Sequence, residues 1–260
     1  MVEMYHGQRQ WENRTAPGVH EAFSQIWGTR RLWCSHDRVS INPPCVDEEI
    51  LNNPSREARG VHWDNGQLRL AKSPADVGPL GFGVQGVLYL VDTPAENGAF
   101  VCVPGFHRKV DDWLQALPED AAPAEQDYLA MRGTSGKGLT RVGANAGDLV
   151  IWTTTLPHYA AVNIGDAPRV AQYITMSPAP QAQDDATRAS RVDFWAERRA
   201  GNGNADNEAG VKTRSQPAAT LESQVARQIA GIEPWPEVAE GSAAFSGLTA
   251  EWTMSVAAKL

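Results

Sequence analysis

His62 and Asp64 are the two residues whose types and spacing most directly suggest chemistry. They are two positions apart, so an extended segment directs both side chains to the same face, where they can converge on one point. An imidazole nitrogen and a carboxylate oxygen aimed at one point suit a divalent metal ion. Two side chains leave such an ion short of ligands, so a metal site would need a further ligand.

A third ligand has to come from another part of the chain, which contains six histidines. His158 is the best candidate, because it follows a buried-looking strand and a proline and can approach from a different strand of the same barrel. The remaining histidines are expected to be solvated (His6, His20), to lie in the core or a pocket (His36), or to hydrogen bond to loop backbone (His107). His62, Asp64 and His158 then make the 2-His-1-carboxylate triad typical of non-haem Fe(II) oxygenases.

Arg169 suggests a site for a second ligand. Residues 159–164 and 169–176 are predicted to be antiparallel strands joined by a turn at 165–168, which returns Arg169 alongside the segment that holds His158. A guanidinium group binds a carboxylate through two hydrogen bonds and keeps its charge in a buried site. Arg169 can therefore anchor the distal carboxylate of 2-oxoglutarate, whose 2-oxo acid end would chelate iron and leave one position for dioxygen.

Short apolar segments separated by tight turns must position these residues. Strands are predicted over residues 31–42, 83–92, 99–103 and 147–152, the second and third forming a β-hairpin through an Asn-Gly turn. Because no regular helix separates consecutive strands, the pattern favours an antiparallel double-sheet barrel. The predicted fold class is mainly β with peripheral helices, a cupin-like jelly roll or double-stranded β-helix.

Helical periodicity appears on both sides of these strands and between them. Helices are predicted at residues 19–27, 110–117, 124–131, 184–199 and 221–229. We expect a double-stranded β-helix core over residues 1–180, which includes a short N-terminal helical segment. Residues 181–260 are expected to form a helical and loop extension that packs on this core.

Composition narrows the class of partner. The chain has 31 acidic and 23 basic residues, a formal net charge of -8, and no basic cluster, which argues against a nucleic-acid or anionic membrane surface. Cys34, Cys45 and Cys102 are odd in number and lack CxxC spacing, so reduced thiols are expected. No apolar run reaches the roughly 18 residues of a membrane span, and no signal pattern is present. A cytoplasmic protein that acts on a small molecule is expected, and homo-oligomers are compatible with the sequence.

From about Trp27 to Pro178 the sequence resembles the phytanoyl-CoA dioxygenase-like branch of the Fe(II)/2-oxoglutarate dioxygenases. The motifs that carry the resemblance are His62-Trp-Asp64, Asn97-Gly98, Pro104-Gly-Phe-His107, Gly147-Asp-Leu-Val-Ile-Trp152, and His158 followed by Arg169. Phe106 stands where this family usually has serine, and the helical region before the barrel is shorter than is usual.

The resemblance implies a double-stranded β-helix with Fe(II) held by His62, Asp64 and His158, and with 2-oxoglutarate held by Arg169. It also implies dioxygen as co-substrate, with succinate and CO2 as co-products of the oxidation of a C–H bond. Because position 64 is aspartate and not glycine or alanine, hydroxylation or a related oxidation is implied and not halogenation. The family does not fix the substrate, since one fold and one cofactor set serve many reactions.

Three further side chains are candidates for contact with 2-oxoglutarate or substrate. Gln85 lies on one face of the strand before the Asn-Gly turn, and Tyr173 shares a face with Arg169; barrel packing is an equally good explanation for both. Arg38 could meet a substrate carboxylate, although a surface ion pair is the more ordinary role. Two rival functions stay open: a cupin-like barrel that holds metal without turnover, and a Zn(II) hydrolase or isomerase with the same triad.

Overall fold

The computed structural model describes residues 4–51, 60–123, 138–180, 185–198, 219–236 and 258–259, and within these ranges all paired strands are antiparallel. The strands are β1 (Leu32–Cys34), β2 (Val39–Asn42), β3 (Val84–Tyr89), β4 (Phe100–Cys102), β5 (Thr140–Val142), β6 (Asp148–Thr153), β7 (His158–Ala160), β8 (Arg169–Tyr173), β9 (Met176–Pro178) and β10 (Ala258–Lys259). The predicted antiparallel character is confirmed.

Helices surround these strands, and most of them lie where helical periodicity predicts. They are α1 (Gln8–Arg14), α2 (Pro17–Trp27), α3 (Glu48–Leu51), α4 (Gly66–Leu70), α5 (Val110–Ala116), α6 (Asp185–Glu197) and α7 (Gln224–Ala230). The helix predicted at 124–131 lies outside the described residues. Of the helices that the structure describes, none has both the length and the apolar character of a membrane span.

The strands form three sheets in the described part of the chain and not one closed barrel. The larger sheet has the order β10-β6-β3-β8-β2, and a second sheet has the order β5-β4-β7. β1 and β9 make a separate two-stranded sheet. The fold therefore consists of antiparallel sheets with helices packed around them.

An apolar layer joins the five-stranded and the three-stranded sheets. Tyr89 of β3 and Trp152 of β6 pack with Phe100 of β4, and none of the three is more than 5% exposed. The ring centroids of Phe100 and Trp152 are 4.5 Å apart, and the Tyr89 hydroxyl accepts the backbone N–H of Phe100 at 2.9 Å. Because these residues come from different sheets, their contacts hold the two sheets face to face.

The predicted β-hairpin over residues 83–103 is wrong. β3 pairs with β6 and β8, whereas β4 pairs with β5 and β7, so the Asn97-Gly98 turn carries the chain from one sheet to the other. Gly98 has a φ of 74°, and a Cβ atom there would overlap the amide of Asn42. Both strands are almost wholly buried. Each therefore needs a hydrogen-bonding neighbour on both edges, which a hairpin alone does not supply.

One predicted strand and one predicted pairing also differ from the structure. The single strand predicted over residues 31–42 is two strands, since β1 pairs with β9 and β2 pairs with β8. Between them the chain changes sheets at Ser35, whose N–H donates to the carbonyl of Thr175 at 2.7 Å. β7 and β8, predicted to be neighbours, belong to different sheets, because β7 pairs with β4 while β8 lies between β2 and β3.

A second core lies outside the larger sheet and draws on both ends of the described chain. Trp11 of α1, Phe23 of α2 and Ile229 of α7 are fully buried in it. Trp195 of α6 packs edge-on against Trp11 with ring centroids 4.6 Å apart. Arg191 of α6 donates to the carbonyl of Cys34 in β1 at 2.6 Å, so α6 and α7 both pack on the strands.

His6 and His20 are buried in this helical layer, and the prediction that they are solvated is wrong. They are 1% and 2% exposed. His20 Nε2 lies 2.9 Å from the carbonyl of Arg30, and His6 Nδ1 accepts the indole N–H of Trp11 at 3.4 Å. A polar partner for each ring offsets the cost of burying it. Helical spacing in the sequence does not indicate these partners. His36, at 7% exposure, lies in the core as predicted.

Candidate metal centre

His62 and His158 lie opposite each other in an isolated antiparallel bridge. The N–H of His62 donates to the carbonyl of His158 at 3.0 Å, and the N–H of His158 donates back to His62 at 2.8 Å. Two residues further on, the N–H of Asp64 donates to the carbonyl of Thr154 at 3.2 Å. The segment 60–64 is thus held in extended form against the residues that lead into β7.

This backbone pairing brings the three predicted ligands together. One ligand atom from each of His62, Asp64 and His158 lies within 4.8 Å of the other two. The imidazole centroids are 4.6 Å apart, and His158 Nε2 is 3.6 Å from Asp64 Oδ2. His158 is buried, His62 is partly exposed and the Asp64 side chain is 32% exposed, so the group is open to small molecules on one side.

Both histidines direct Nε2 toward the point where the three candidate ligands meet. Nδ1 of His62 lies 2.8 Å from the carbonyl of Gly60, and Nδ1 of His158 lies 2.8 Å from the carbonyl of Leu156. A carbonyl oxygen only accepts, so each Nδ1 carries a hydrogen and Nε2 is the nitrogen that can bind a metal ion. Partners of this kind fix the tautomer and the ring orientation of metal-binding histidines.

Asp64 is kept ionised by its surroundings. The His158 ring and the amide of Gln85, which donates to Asp64 Oδ2 at 2.9 Å, hold the pKa of Asp64 well below its ordinary value although burial opposes this. Arg69, on α4, places Nη1 3.9 Å from Asp64 Oδ1. One carboxylate oxygen and two imidazole nitrogens make a donor set that fits a divalent first-row metal.

Arg169 is a buried cation in the same region of the fold. It is 1% exposed at the start of β8, donates through Nη1 to the hydroxyl of Ser40 at 3.3 Å, and stacks 5.3 Å from the centre of the Tyr89 ring. Its Nε has no hydrogen-bond partner, and no carboxylate pairs with the guanidinium among the residues that the structure describes. A buried charge without a counter-charge is costly, which fits a site for an anionic ligand such as 2-oxoglutarate.

One cavity of about 990 Å³ connects the three candidate ligands with Arg169. Its lining includes the three candidate ligands together with Arg169, Gln85, Tyr173, Trp152 and Arg38. The predicted site residues therefore share one cavity, although β7 and β8 are not neighbours as the sequence suggested. β8, which begins with Arg169, lies between β2 and β3 in the larger sheet, whereas β7 belongs to the smaller one. Arg169 therefore lines the cavity from the sheet opposite β7.

Gln85 lies beside Asp64, and its predicted contact with 2-oxoglutarate or substrate stays a prediction. Its amide nitrogen contacts a candidate metal ligand, while its Oε1 is buried without a hydrogen-bond partner in the described residues. Sequence reasoning also missed the carbonyls of Gly60 and Leu156 and the hydroxyl of Ser40. No residue type signals a backbone carbonyl, and Ser40 is recognisable only from the pairing of β2 with β8.

The family model described as Phytanoyl-CoA dioxygenase (PhyH) matches residues 5–171. The chain belongs to this family. The resemblance noted from the sequence is thus confirmed, and PhyH membership agrees with the predicted cofactors, iron, 2-oxoglutarate and dioxygen. The ligand geometry described above lies within the matched region.

Relatives of this PhyH chain are longer than it is. Ava biosynthesis cluster protein O of Aspergillus versicolor is 26% identical over 201 residues, which cover 73% of this chain and 60% of that protein. A Dictyostelium discoideum protein named for the same family is 27% identical over 191 residues, which cover 64% of this chain and 53% of that protein. The matched regions therefore span little more than half of each relative.

The fold is similar to that of the crystal structure of GlcNAc Inducible Gene 2 from Candida albicans. The TM-score is 0.66 at 12% sequence identity, and the match covers 92% of this chain and 67% of that one. At this identity the similarity concerns the fold alone.

Proposed function

We propose that this PhyH chain is an Fe(II)- and 2-oxoglutarate-dependent dioxygenase that hydroxylates a C–H bond of a small molecule, with succinate and CO2 as co-products. The observation that carries the proposal is the convergence of His62, Asp64 and His158 in the same cavity as Arg169. A metal site alone would suit many functions. A buried arginine that has no carboxylate partner among the described residues adds a site for the acidic co-substrate.

Nε2 of His62, Nε2 of His158 and one Asp64 oxygen would hold the iron. When bound, iron and 2-oxoglutarate supply the oxidation by which dioxygen and a C–H bond give an alcohol, succinate and CO2. The carbonyls of Gly60 and Leu156 keep both Nε2 lone pairs directed at the site. Gln85 keeps an oxygen of Asp64 in place, so the chain contributes a rigid set of donors.

Arg169 would orient the co-substrate. Ser40 and Tyr89 hold the guanidinium from two sides, which leaves its remaining N–H groups for a carboxylate. The apolar layer around Phe100 and Trp152 closes the space between the sheets and keeps water from that side of the site. Exclusion of water protects a reactive site from side reactions and strengthens the charge interactions within it.

The two facing sheets support a double-stranded β-helix as the underlying fold. In this proposal residues 1–180 supply every candidate ligand and all strands of the two facing sheets except β10, which pairs with the edge of the larger sheet. We assign residues 181–260 to an extension, and its described helices α6 and α7 pack on β1 and the N-terminal helices away from the candidate ligands. Neither α6 nor α7 contributes a residue to the lining of the 990 Å³ cavity.

Anaerobic titration tests the proposal. Addition of Fe(II) and then 2-oxoglutarate to the full chain should produce a weak visible charge-transfer band, and His158→Ala should abolish it. His107→Ala is the matched control, since His107 is a partly exposed histidine that does not line the cavity. No band in the parent protein contradicts the proposal and favours the module that only holds metal. Activity with Zn(II) that is unaffected by Arg169→Ala would instead identify a hydrolase or isomerase.

A further inference from the structure

A second cavity, the α6 groove, lies between one face of α6 and the residues at the end of β1. Its volume is about 540 Å³, which is in the range of small-molecule sites in proteins. The residues that line it include Trp33, Ser35, His36, Ser190, Arg191 and Phe194. None of these residues lines the 990 Å³ cavity. The α6 groove is therefore separate from the candidate metal centre, and the proposed function makes no use of it.

Arg191 brings a positive charge to the α6 groove. Its Nε donates to the carbonyl of Ala230 at 3.2 Å, its Nη2 donates to the carbonyl of Cys34 at 2.6 Å, and the guanidinium lies 4.9 Å from the centre of the Trp33 ring. Among the described residues, no carboxylate lines the groove or influences this arginine. The Cys34 thiol supplies no counter-charge, because burial raises its pKa. A charge that has only neutral partners favours an anionic ligand.

Two polar atoms of the lining have no hydrogen-bond partner in the described residues. They are Nε1 of Trp33 and Nε2 of His36, and each residue is 7% exposed. Burial and the charges of Arg191 and Arg14 lower the pKa of His36, so its ring is neutral near pH 7 and can carry the hydrogen on Nε2. An indole N–H only donates. Both atoms are therefore suited to donate to an oxygen of a ligand, which would satisfy them.

Aromatic rings form the apolar part of the α6 groove. The Phe194 ring stacks on the His36 ring, with centroids 6.0 Å apart and an angle of 24° between the planes. The indole of Trp33 adds a second flat surface beside the polar atoms. A simple inorganic ion would leave most of the 540 Å³ unfilled, so the groove fits a ligand whose body covers these rings.

We propose that the α6 groove is a second binding site, for a small molecule that carries a carboxylate or a phosphate on an aromatic body. Arg191 binds the oxyanion through Nη1, which no described residue engages, and Trp33 and His36 donate to it. Guanidinium groups suit both oxyanions, since their N–H groups match the geometry of carboxylate and phosphate oxygens. The inference does not rest on the proposed function, because it uses no candidate metal ligand.

Ligand-observed NMR titrations of the full, metal-free chain test this inference. The probes are benzoate, phenyl phosphate and benzamide, which share one aromatic ring and differ in charge. We expect one or both anions to bind at least about tenfold more tightly than benzamide, because only an anion makes charge-assisted hydrogen bonds on both sides. The anion that binds more tightly identifies the oxyanion. Equal affinity for all three probes, or no binding of either anion, would overturn the inference.

Arg191→Gln should remove the preference for the anions and leave the affinity for benzamide unchanged. Arg188→Gln is the matched control, since Arg188 lies on the same helix, also donates to a backbone carbonyl, that of Ile232, and does not line the groove. This control should keep the preference. A preference that survives in Arg191→Gln, or an equal loss of affinity for all three probes, contradicts the role of Arg191 as the anchor.

Trp33→Phe tests the same site without changing its charge. The variant keeps a flat ring but lacks the indole N–H, so the affinity for the anion should fall by about tenfold while benzamide is less affected. Thermal melting verifies the fold of each variant, and Trp33→Phe decides the outcome if Arg191→Gln does not fold. Unchanged affinity for the anions in a folded Trp33→Phe variant counts against the site.

Arg169→Gln separates the α6 groove from the larger cavity, because Arg169 also attracts anions under the proposed function. In this variant the preference for the anions should persist, since Arg169 lines only the larger cavity. A preference that is lost in Arg169→Gln and kept in Arg191→Gln would place the anion in the larger cavity and overturn this inference alone. Absence of the charge-transfer band in the parent protein contradicts the proposed function and leaves the α6 groove unaffected.

Discussion

The backbones of His62 and His158 hydrogen bond to each other in both directions, at 3.0 and 2.8 Å. Two candidate metal ligands from distant parts of the sequence are therefore fixed by main-chain atoms and not by side-chain packing alone. Their imidazoles leave the bridge on the same side, with centroids 4.6 Å apart. Asp64 follows His62 by two residues and reaches the same point.

Replacement of Asp64 by asparagine should remove metal binding from an otherwise folded protein. The amide has no negative charge, and loss of a direct ligand should lower metal affinity by more than the roughly 10–100-fold seen for outer partners of ligands. Calorimetry with Co(II) measures the change. Asp76→Asn is the control, since Asp76 is an aspartate that accepts hydrogen bonds from Lys72 and Ser73 in its own turn. Equal Co(II) affinity in Asp64→Asn and the parent protein would remove Asp64 from the ligand set.

Gln85→Leu should weaken metal binding without weakening the fold. The variant removes the 2.9 Å hydrogen bond to Asp64, so metal affinity should fall by about 10–100-fold. It also removes a buried Oε1 that has no hydrogen-bond partner in the described residues, so the melting temperature of the metal-free protein should stay the same or rise. Opposite changes in metal affinity and melting temperature distinguish this role from general packing. A fall in both would show that Gln85 is structural.

The candidate ligands could be predicted because their signal is local. Two side chains at i and i+2 of an extended segment share a face whatever sheet they join, and the structure brings His62 and Asp64 together as expected. His158 could be predicted as a ligand because it follows a predicted strand and a proline. The partners that hold these ligands gave no such signal, because Gly60 and Leu156 act through carbonyls that every residue type possesses.

Strand pairing could not be predicted from neighbouring segments. β3 and β4 are adjacent in sequence and joined by an Asn-Gly turn, yet their partners come from residues 140–173. From β5 to β8 consecutive strands alternate between the two sheets, so most pairings depend on contacts that are distant in sequence. The same alternation puts Arg169 in the larger sheet and His158 in the smaller one, with the cavity between them.

Arg169→Gln should lower the affinity for 2-oxoglutarate and leave metal binding unchanged. A charge-assisted hydrogen bond contributes about 1.5–3 kcal/mol, which corresponds to a loss of about 10–150-fold in affinity. Anaerobic titration of the charge-transfer band gives the affinity for 2-oxoglutarate, and Co(II) calorimetry gives the affinity for metal. Arg30→Gln, in an exposed ion pair, is the control. If 2-oxoglutarate binds the Arg169 variant as tightly as the parent, its carboxylate is held elsewhere in the cavity.

His36 should make the protein less stable as the pH falls below about 6.5. Burial among Trp11, Phe194 and His6, with Arg191 and Arg14 nearby, lowers the pKa of His36 well below its ordinary value. The unfolded chain therefore binds a proton that the folded one does not, and the free energy of unfolding falls by up to about 1.4 kcal/mol per pH unit. His36→Phe should flatten this slope in urea titrations between pH 7.5 and about 5, since phenylalanine does not titrate. Parallel curves for variant and parent would show that His36 is not responsible.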